Sequence, residues 1–198
     1  SSDLWEEGPE KGGDYGPYTQ GEKSERYQDV LLELRKKDLV YPCGVSRRQL
    51  RDRGFERVHG EMLFPIELRD NCEEPEDLWG INWRFRVPDG ETIKFYDTEL
   101  DKEISYTAGV DFGDFILWRR DGMASYELSV VVDDHDMAIT EVIRGEDLLL
   151  STARQILLYR AMGWDIPSFG HCPILLDETG EKLAKSRGSI SLKSILDD

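Results

Sequence analysis

Cysteine is scarce in this chain: Cys43, Cys72 and Cys172 are three thiols in 198 residues, an odd number at wide spacing. That excludes a disulfide framework and gives no paired metal knuckle, so reduced thiols are expected. His135 and His171 likewise have no second ligand at a spacing useful for a metal. Long apolar runs are missing too, and nothing approaches the roughly 18 residues of a membrane span. The first residues, Ser-Ser-Asp-Leu-Trp-Glu-Glu, have neither the basic nor the apolar part of a secretory signal, so the expectation is no membrane and a cytoplasmic address. Positive charge is in deficit, with 25 Lys and Arg against 41 Asp and Glu, a formal net charge of -16. A surface field of that sign repels phosphate backbones at long range and counts against a general nucleic-acid binder. It leaves room for a local basic patch, for which Arg47, Arg48, Arg51, Arg53 and Arg57 are candidates; the same arginines also suit a solvated helix face.

What the chain does carry is aromatic mass. Five Trp, eight Tyr and seven Phe accompany a mean hydropathy of -0.54, which describes a polar but folded protein. The length suits one domain, with room for a small insertion. Residues 1–21, rich in Gly, Pro and Asp, read as loop. Thr19 and Glu22 have capping-box spacing, and Tyr27, Val30, Leu31 and Leu34 recur at helical intervals, predicting a helix up to Lys37. Ser46 and Gln49 repeat the capping spacing before a short basic helix. No clean periodicity runs from Gly54 to Glu76. The period then becomes two: Ile81, Trp83, Phe85 and Val87 alternate with polar residues, and Pro88-Asp89-Gly90-Glu91 turns the chain into a strand at Thr92 to Tyr96, predicting a strand pair within a β-rich inserted subdomain over residues 77–110. Beyond it the pattern is α/β. Phe115 to Trp118, Leu128 to Val132 and Pro173 to Leu176 suit buried strands, and a helix is predicted from Thr152.

The segment with most chemistry is Lys182-Leu183-Ala184-Lys185-Ser186, two amines three residues apart in a Gly-bounded loop, able to place mobile positive charge on a polyphosphate. On its own it is equally a lysine-rich surface turn. Before it come Gly170-His171-Cys172-Pro173-Ile174-Leu175-Leu176, Ser151 to Arg160, Ile143-Arg144-Gly145-Glu146-Asp147, Ala124-Ser125-Tyr126-Glu127-Leu128 and Val130-Val131-Val132-Asp133-Asp134. In that order these segments resemble the C-terminal half of the catalytic domain of glutamyl- and glutamyl-queuosine tRNA synthetases, whose KMSKS element matches the lysine loop. Gly16-Pro17-Tyr18-Thr19-Gln20 with Ser24-Glu25-Arg26 resembles an earlier segment of the same family, so the resemblance spans nearly the whole chain.

The resemblance implies a class I synthetase Rossmann-like catalytic core, α/β and partial over residues 1–198, with the β-rich insertion. It implies glutamate, ATP with Mg2+ and a tRNA, in the queuosine subgroup tRNA(Asp), as substrates. By match, Tyr126 and Arg144 hold the glutamate, a phenol and a guanidinium being suited to a carboxylate. Lys182 and Lys185 stabilise the departing pyrophosphate, and Lys185 and His171 are nucleotide-side candidates. Asp133 and Asp134 would project from opposite faces of a strand, in structural roles. The match departs from the family in two places. Of the cysteines and tyrosine that bind zinc in many relatives only Cys43 is kept; Phe64 stands at the tyrosine position and Leu68 at a cysteine, so no zinc is expected. The HIGH segment has no counterpart, which implies a preceding segment, a second chain that completes the site, or a non-catalytic paralogue that binds an amino acid or nucleotide.

Overall fold

The computed structural model describes residues 7–45, 49–50, 57–58, 61–69 and 75–174. Among the described residues the chain is mixed α/β, as expected, with three α-helices and nine strands in three sheets. The basic segment from Arg47 to Arg53 lies almost wholly outside them.

Helix α1, Ser24–Lys36, buries the predicted stripe of Tyr27, Val30, Leu31 and Leu34. Its start differs from expectation. Thr19 makes no side-chain cap; Gln20–Glu22 form a single 3-10 turn and Lys23 takes the N-cap position. The reason is charge, because the Lys23 amine is drawn inward to Asp133 at 2.9 Å.

Strands β1 (Val40–Cys43), β4 (Asn82–Phe85) and β7 (Phe115–Trp118) form an antiparallel sheet in the order β1-β4-β7. Pro42 sits on its edge strand, where a missing N–H costs no ladder bond. Phe85 pairs with Phe115 in register and stacks on it at 5.3 Å. Trp83 and Trp118, both almost fully buried, anchor this layer, each contributing about 1.5–3 kcal/mol or more by burial. Strands β2 (Arg57–Val58) and β3 (Glu61–Met62) make a separate small ladder.

The second large sheet has the order β6-β5-β9-β8. Strand β5 (Thr92–Asp97) pairs with β6 (Lys102–Thr107) as an antiparallel hairpin, and meets β9 (Ser168–Cys172) in parallel at Asp97 and Phe169. The predicted strands at 81–87 and 92–96 therefore exist, but they do not pair with each other. The turn at Pro88–Glu91 carries the chain from one sheet to the next, because β4 finds both its edges taken by β1 and β7.

Strand β8 (Glu141–Gly145) runs parallel to β9, and helix α3 (Leu149–Met162) crosses between them. It begins three residues before the predicted Thr152 and stops at Gly163, whose φ of 72° provides the left-handed cap. Strand β9 ends at Cys172, ahead of Pro173 and its missing N–H, and the predicted strand Pro173 to Leu176 lies partly outside the described residues.

One prediction is overturned outright. Leu128 to Val132, read as a buried strand, lies in helix α2, Tyr126–Asp136. Ser125 caps it by accepting the Leu128 N–H at 3.4 Å, and Leu128, Val131 and Val132 reach the core together. The strand preference of three valines is a weak prior that packing overrides. Asp133 and Asp134 consequently sit about 100° apart around a helix rather than across a strand. Asp133 accepts from Lys23, from Tyr27 at 2.8 Å and from Gln20 at 3.1 Å, tying α2 to α1; Asp134 accepts from Tyr159 of α3 at 3.3 Å.

Candidate functional site

The parallel pair β8 and β9 sets Arg144 opposite His171 in register, one residue before each strand ends. Carboxyl ends of parallel strands are where open α/β sheets receive ligands. Tyr126, the first residue of α2, arrives from the other side. The Arg144 guanidinium donates through Nη1 to the Tyr126 hydroxyl at 3.3 Å, through Nη2 to Thr152 Oγ1 at 2.6 Å and to the Leu148 carbonyl at 3.5 Å, and through Nε to His171 Nε2 at 3.3 Å. It also lies over the Phe169 ring at 5.5 Å, a favourable place for a cation.

Behind the arginine the site is dry and fixed. His171 and Thr152 are wholly buried, their polar atoms 3.0 Å apart. The other imidazole nitrogen, Nδ1, is 2.5 Å from Asp97 Oδ2. Asp97, the last residue of β5 and also wholly buried, accepts through Oδ1 from the backbone N–H groups of Glu99, Leu100 and His171 at 3.2, 3.0 and 3.0 Å. Burial alone drives this carboxyl upward, but those amides and the imidazole outweigh it and hold it below the ordinary aspartate range.

The helix face beneath carries two carboxyls displaced the other way. Burial raises Glu127 despite the Arg154 charge, the Ser151 hydroxyl at 2.9 Å and the Arg144 charge. Burial also pushes Asp134 up to about 6, against the opposing effects of Tyr159 and Arg144.

Of the five predicted site residues, the structure brings Tyr126, Arg144 and His171 together; Lys182 and Lys185 lie outside the described residues. His171, read as a nucleotide-side candidate, is fully buried with both ring nitrogens engaged, so its contact is with Arg144. Sequence reasoning missed Asp97 and took Thr152 for a helix start. The signal for Asp97 was its phase: Ile93, Phe95 and Asp97 share the inward face of β5, and a carboxylate there needs donors. Chemically, Arg144 spends its Nε and Nη2 edges on the protein. Among the described residues one Nη1–H and the half-exposed Tyr126 hydroxyl remain for a ligand, a two-point cradle for an anion.

Cys43, the thiol kept from the family's zinc motif, accepts the Nε–H of Arg84 at 3.4 Å, and that guanidinium lies 4.1 Å from the Phe64 ring centroid. No group of three or more His, Cys, Asp or Glu side chains among the described residues is arranged to hold a metal ion. No helix among them is long and apolar enough to cross a membrane.

An α/β core with an outward-facing guanidinium edge at the carboxyl ends of two parallel strands has the layout of a ligand-binding domain. Residues 5–197 match the family of class I tRNA synthetases (E and Q), catalytic domain, and the chain belongs to that family. It is 42% identical over 202 aligned positions to the glutamyl-Q tRNA(Asp) synthetase of Symbiobacterium thermophilum, covering 96% of this chain and 61% of that protein. With the glutamate–tRNA ligase of Bacillus subtilis it shares 37% identity over 193 positions, covering 94% of this chain and 40% of the relative. A crystal structure of a glutamate tRNA ligase from Elizabethkingia meningosepticum, in complex with its amino acid, superposes with a TM-score of 0.75 at 30% identity, over 92% of this chain and 39% of that one. The chain thus spans about three fifths of the first relative and two fifths of the other two.

Proposed function

We propose that this chain provides the amino acid-binding part of a synthetase that activates glutamate with ATP and passes the glutamyl group to tRNA, with the queuosine nucleoside of tRNA(Asp) as acceptor. The observation that carries this is the Arg144–Tyr126 cradle, an oriented guanidinium edge and a phenol hydroxyl set at the mouth of a dry, buried support. An acidic amino acid offers the carboxylate that such a pair selects.

In the first step a glutamate α-carboxylate oxygen attacks the α-phosphorus of ATP, the bond to the bridging oxygen breaks, and pyrophosphate leaves with that electron pair. In the second an acceptor hydroxyl attacks the activated carbonyl carbon and AMP departs. Neither step needs a protein nucleophile, so catalysis is positioning and charge stabilisation. Tyr126 and Arg144 hold the amino acid by its side-chain end; Lys182 and Lys185 are proposed to neutralise the departing pyrophosphate. Mg2+ is proposed to arrive as the counter-ion of the triphosphate. Zinc has no part in the proposal, because the permanent cation of Arg84 already occupies the face of the Cys43 sulfur. Residues 77–110 are proposed as the insertion that delivers Asp97 to the site, and the cytoplasm as the working compartment. The binding-only alternative is not carried forward, since the relatives at 37–42% identity are named as synthetases and ligases.

The test is glutamate-dependent exchange of pyrophosphate into ATP by the full-length protein, followed by glutamyl transfer to queuosine-containing tRNA(Asp) and to tRNA(Glu). Exchange with glutamate and transfer to the former is expected. Transfer to tRNA(Glu) alone removes the queuosine assignment, and exchange driven by a neutral amino acid removes the glutamate one.

A further inference from the structure

Granted the glutamate reading of the Arg144–Tyr126 cradle, on which this rests, we propose that Asp97 is a positioning residue: it fixes the tautomer of His171, and through it the rotation of the Arg144 guanidinium toward the substrate.

The two carboxylate oxygens of Asp97 have separate duties. Oδ1 is surrounded by three backbone N–H groups, from Glu99, Leu100 and His171, and can only accept. Oδ2 faces His171 Nδ1 at 2.5 Å, and a carboxylate there requires the proton to be on Nδ1. The neutral imidazole then presents a lone pair at Nε2. That lone pair is what the Arg144 Nε–H points at, 3.3 Å away, while Thr152 Oγ1 lies 3.0 Å from the same nitrogen and takes the Arg144 Nη2–H at 2.6 Å. An Nδ1–H tautomer therefore accepts along the Nε edge of the guanidinium and pins it. With Nη2 pinned as well, the Nη1 edge is directed outward to Tyr126. Asp97, His171 and Thr152 are all wholly buried, so no water can take over either end of the relay.

Asparagine at position 97 reverses the logic without changing the shape. The three N–H groups hold the amide oxygen at the Oδ1 position, which forces the NH2 group against Nδ1. His171 must then accept at Nδ1 and carry its proton on Nε2. That proton can be placed on Thr152 Oγ1, but the Arg144 Nε–H is left facing an N–H with no acceptor. The guanidinium rotates out of the cradle, and glutamate affinity falls while the fold persists.

The experiment combines imidazole 15N NMR with glutamate titration calorimetry on the full-length protein, for wild type, D97N and R144A. The His171 resonances are assigned by their loss in H171Q. In wild type near neutral pH, His171 is expected as the neutral Nδ1–H tautomer; an Nε2–H tautomer or a doubly protonated ring there overturns the proposal with no variant needed. In D97N the order of the two nitrogen shifts is expected to reverse and glutamate to bind about tenfold more weakly, the loss of one hydrogen bond to a charged group. R144A is expected to weaken binding by roughly 100-fold. If R144A binds glutamate as wild type does, the glutamate reading fails and this inference with it. If R144A loses binding but D97N, tautomer reversed, still binds as wild type does, only the positioning role of Asp97 is overturned.

Discussion

Among the described residues, the clusters around the buried Arg69 and the partly buried Arg144 end differently. Around Arg69 every direction is closed. Its Nε and Nη2 form a fork on Asp114 at 2.6 and 2.7 Å, its Nη1 and Nη2 meet Asp89, and Nη2 also approaches the Val87 carbonyl. Asp114 is saturated in turn by the Tyr41 hydroxyl at 2.6 Å and the Val87 N–H at 2.9 Å, and Arg84 binds its carbonyl at 2.9 Å. The Asp114 hydrogen bond raises Arg69 above the usual guanidinium range, and burial followed by the Asp114 charge raises Tyr41. Around Arg144 only the inner edges are closed, by His171, Thr152 and Leu148, and the outer edge meets a half-exposed phenol. A saturated arginine locks loops and strands together. One with a spare edge, held rigid from behind, is placed to bind.

The contrast is broken most forcefully at the lock. Asp114→Ala removes the fork partner and leaves buried positive charge from Arg69 without its main acceptor. Destabilisation of about 3–5 kcal/mol is expected, read as a lower urea midpoint with an unchanged slope. Glutamate affinity of the remaining folded protein should be unaltered. A loss of affinity that exceeds the loss of folded protein argues that the two clusters are not independent.

At the cradle the signature inverts. Arg144→Ala is expected to cost about 3 kcal/mol in glutamate binding, near 100-fold, with a midpoint shift well under that of the Asp114 change. Tyr126→Phe keeps the ring and loses only the hydroxyl. A smaller loss of about 1 kcal/mol, roughly fivefold in KM for glutamate during pyrophosphate exchange, is expected. Equal effects of Tyr126→Phe and Arg144→Ala on binding are the result that removes the two-point description.

How much of this was readable beforehand depends on range. Helix α1 was legible because Tyr27, Val30, Leu31 and Leu34 are a local signal that packing confirms. Helix α2 was not, because Val130, Val131 and Val132 imitate a strand, and the decisive Ser125 cap is one hydroxyl. Strand existence at 82–85 and 92–97 was legible from alternation, but pairing was not: the partners of β4 are β1 and β7, distant in sequence, and no local pattern encodes which edge will be free. In the site, Tyr126 and Arg144 came from the family match, since a lone tyrosine and a lone arginine carry no signal by themselves. His171 was singled out while its role was not. Its engagement with Asp97 needs a parallel contact between β5 and β9 that composition and spacing do not reveal. Asp97 carried only the faint mark of a carboxylate in the inward phase of a strand.

The subtlest test asks whether the face behind the cradle tolerates poorly compensated charge, as the lock does not. Asp134 is partly buried with its pKa pushed up to about 6, mainly by desolvation, and its neighbour Tyr159 donates only a single 3.3 Å bond. The native state therefore binds this proton more tightly than the unfolded chain, where an aspartate titrates near its ordinary value of about 3.9. Stability then falls as pH rises through the window from roughly 4 to 6, and the ionised group is a net cost above it. Asp134→Asn removes that cost while its amide oxygen can still accept from Tyr159. The variant is expected to be more stable than wild type by about 1 kcal/mol at about pH 7.5, a figure reduced for the group's partial exposure, and the gain should vanish by about pH 4. Urea midpoints of the two proteins at paired pH values read this directly. Parallel pH profiles for wild type and variant mean that Asp134 titrates alike in the folded and unfolded chain, and that the face behind Arg144 is as fully compensated as the Arg69 lock.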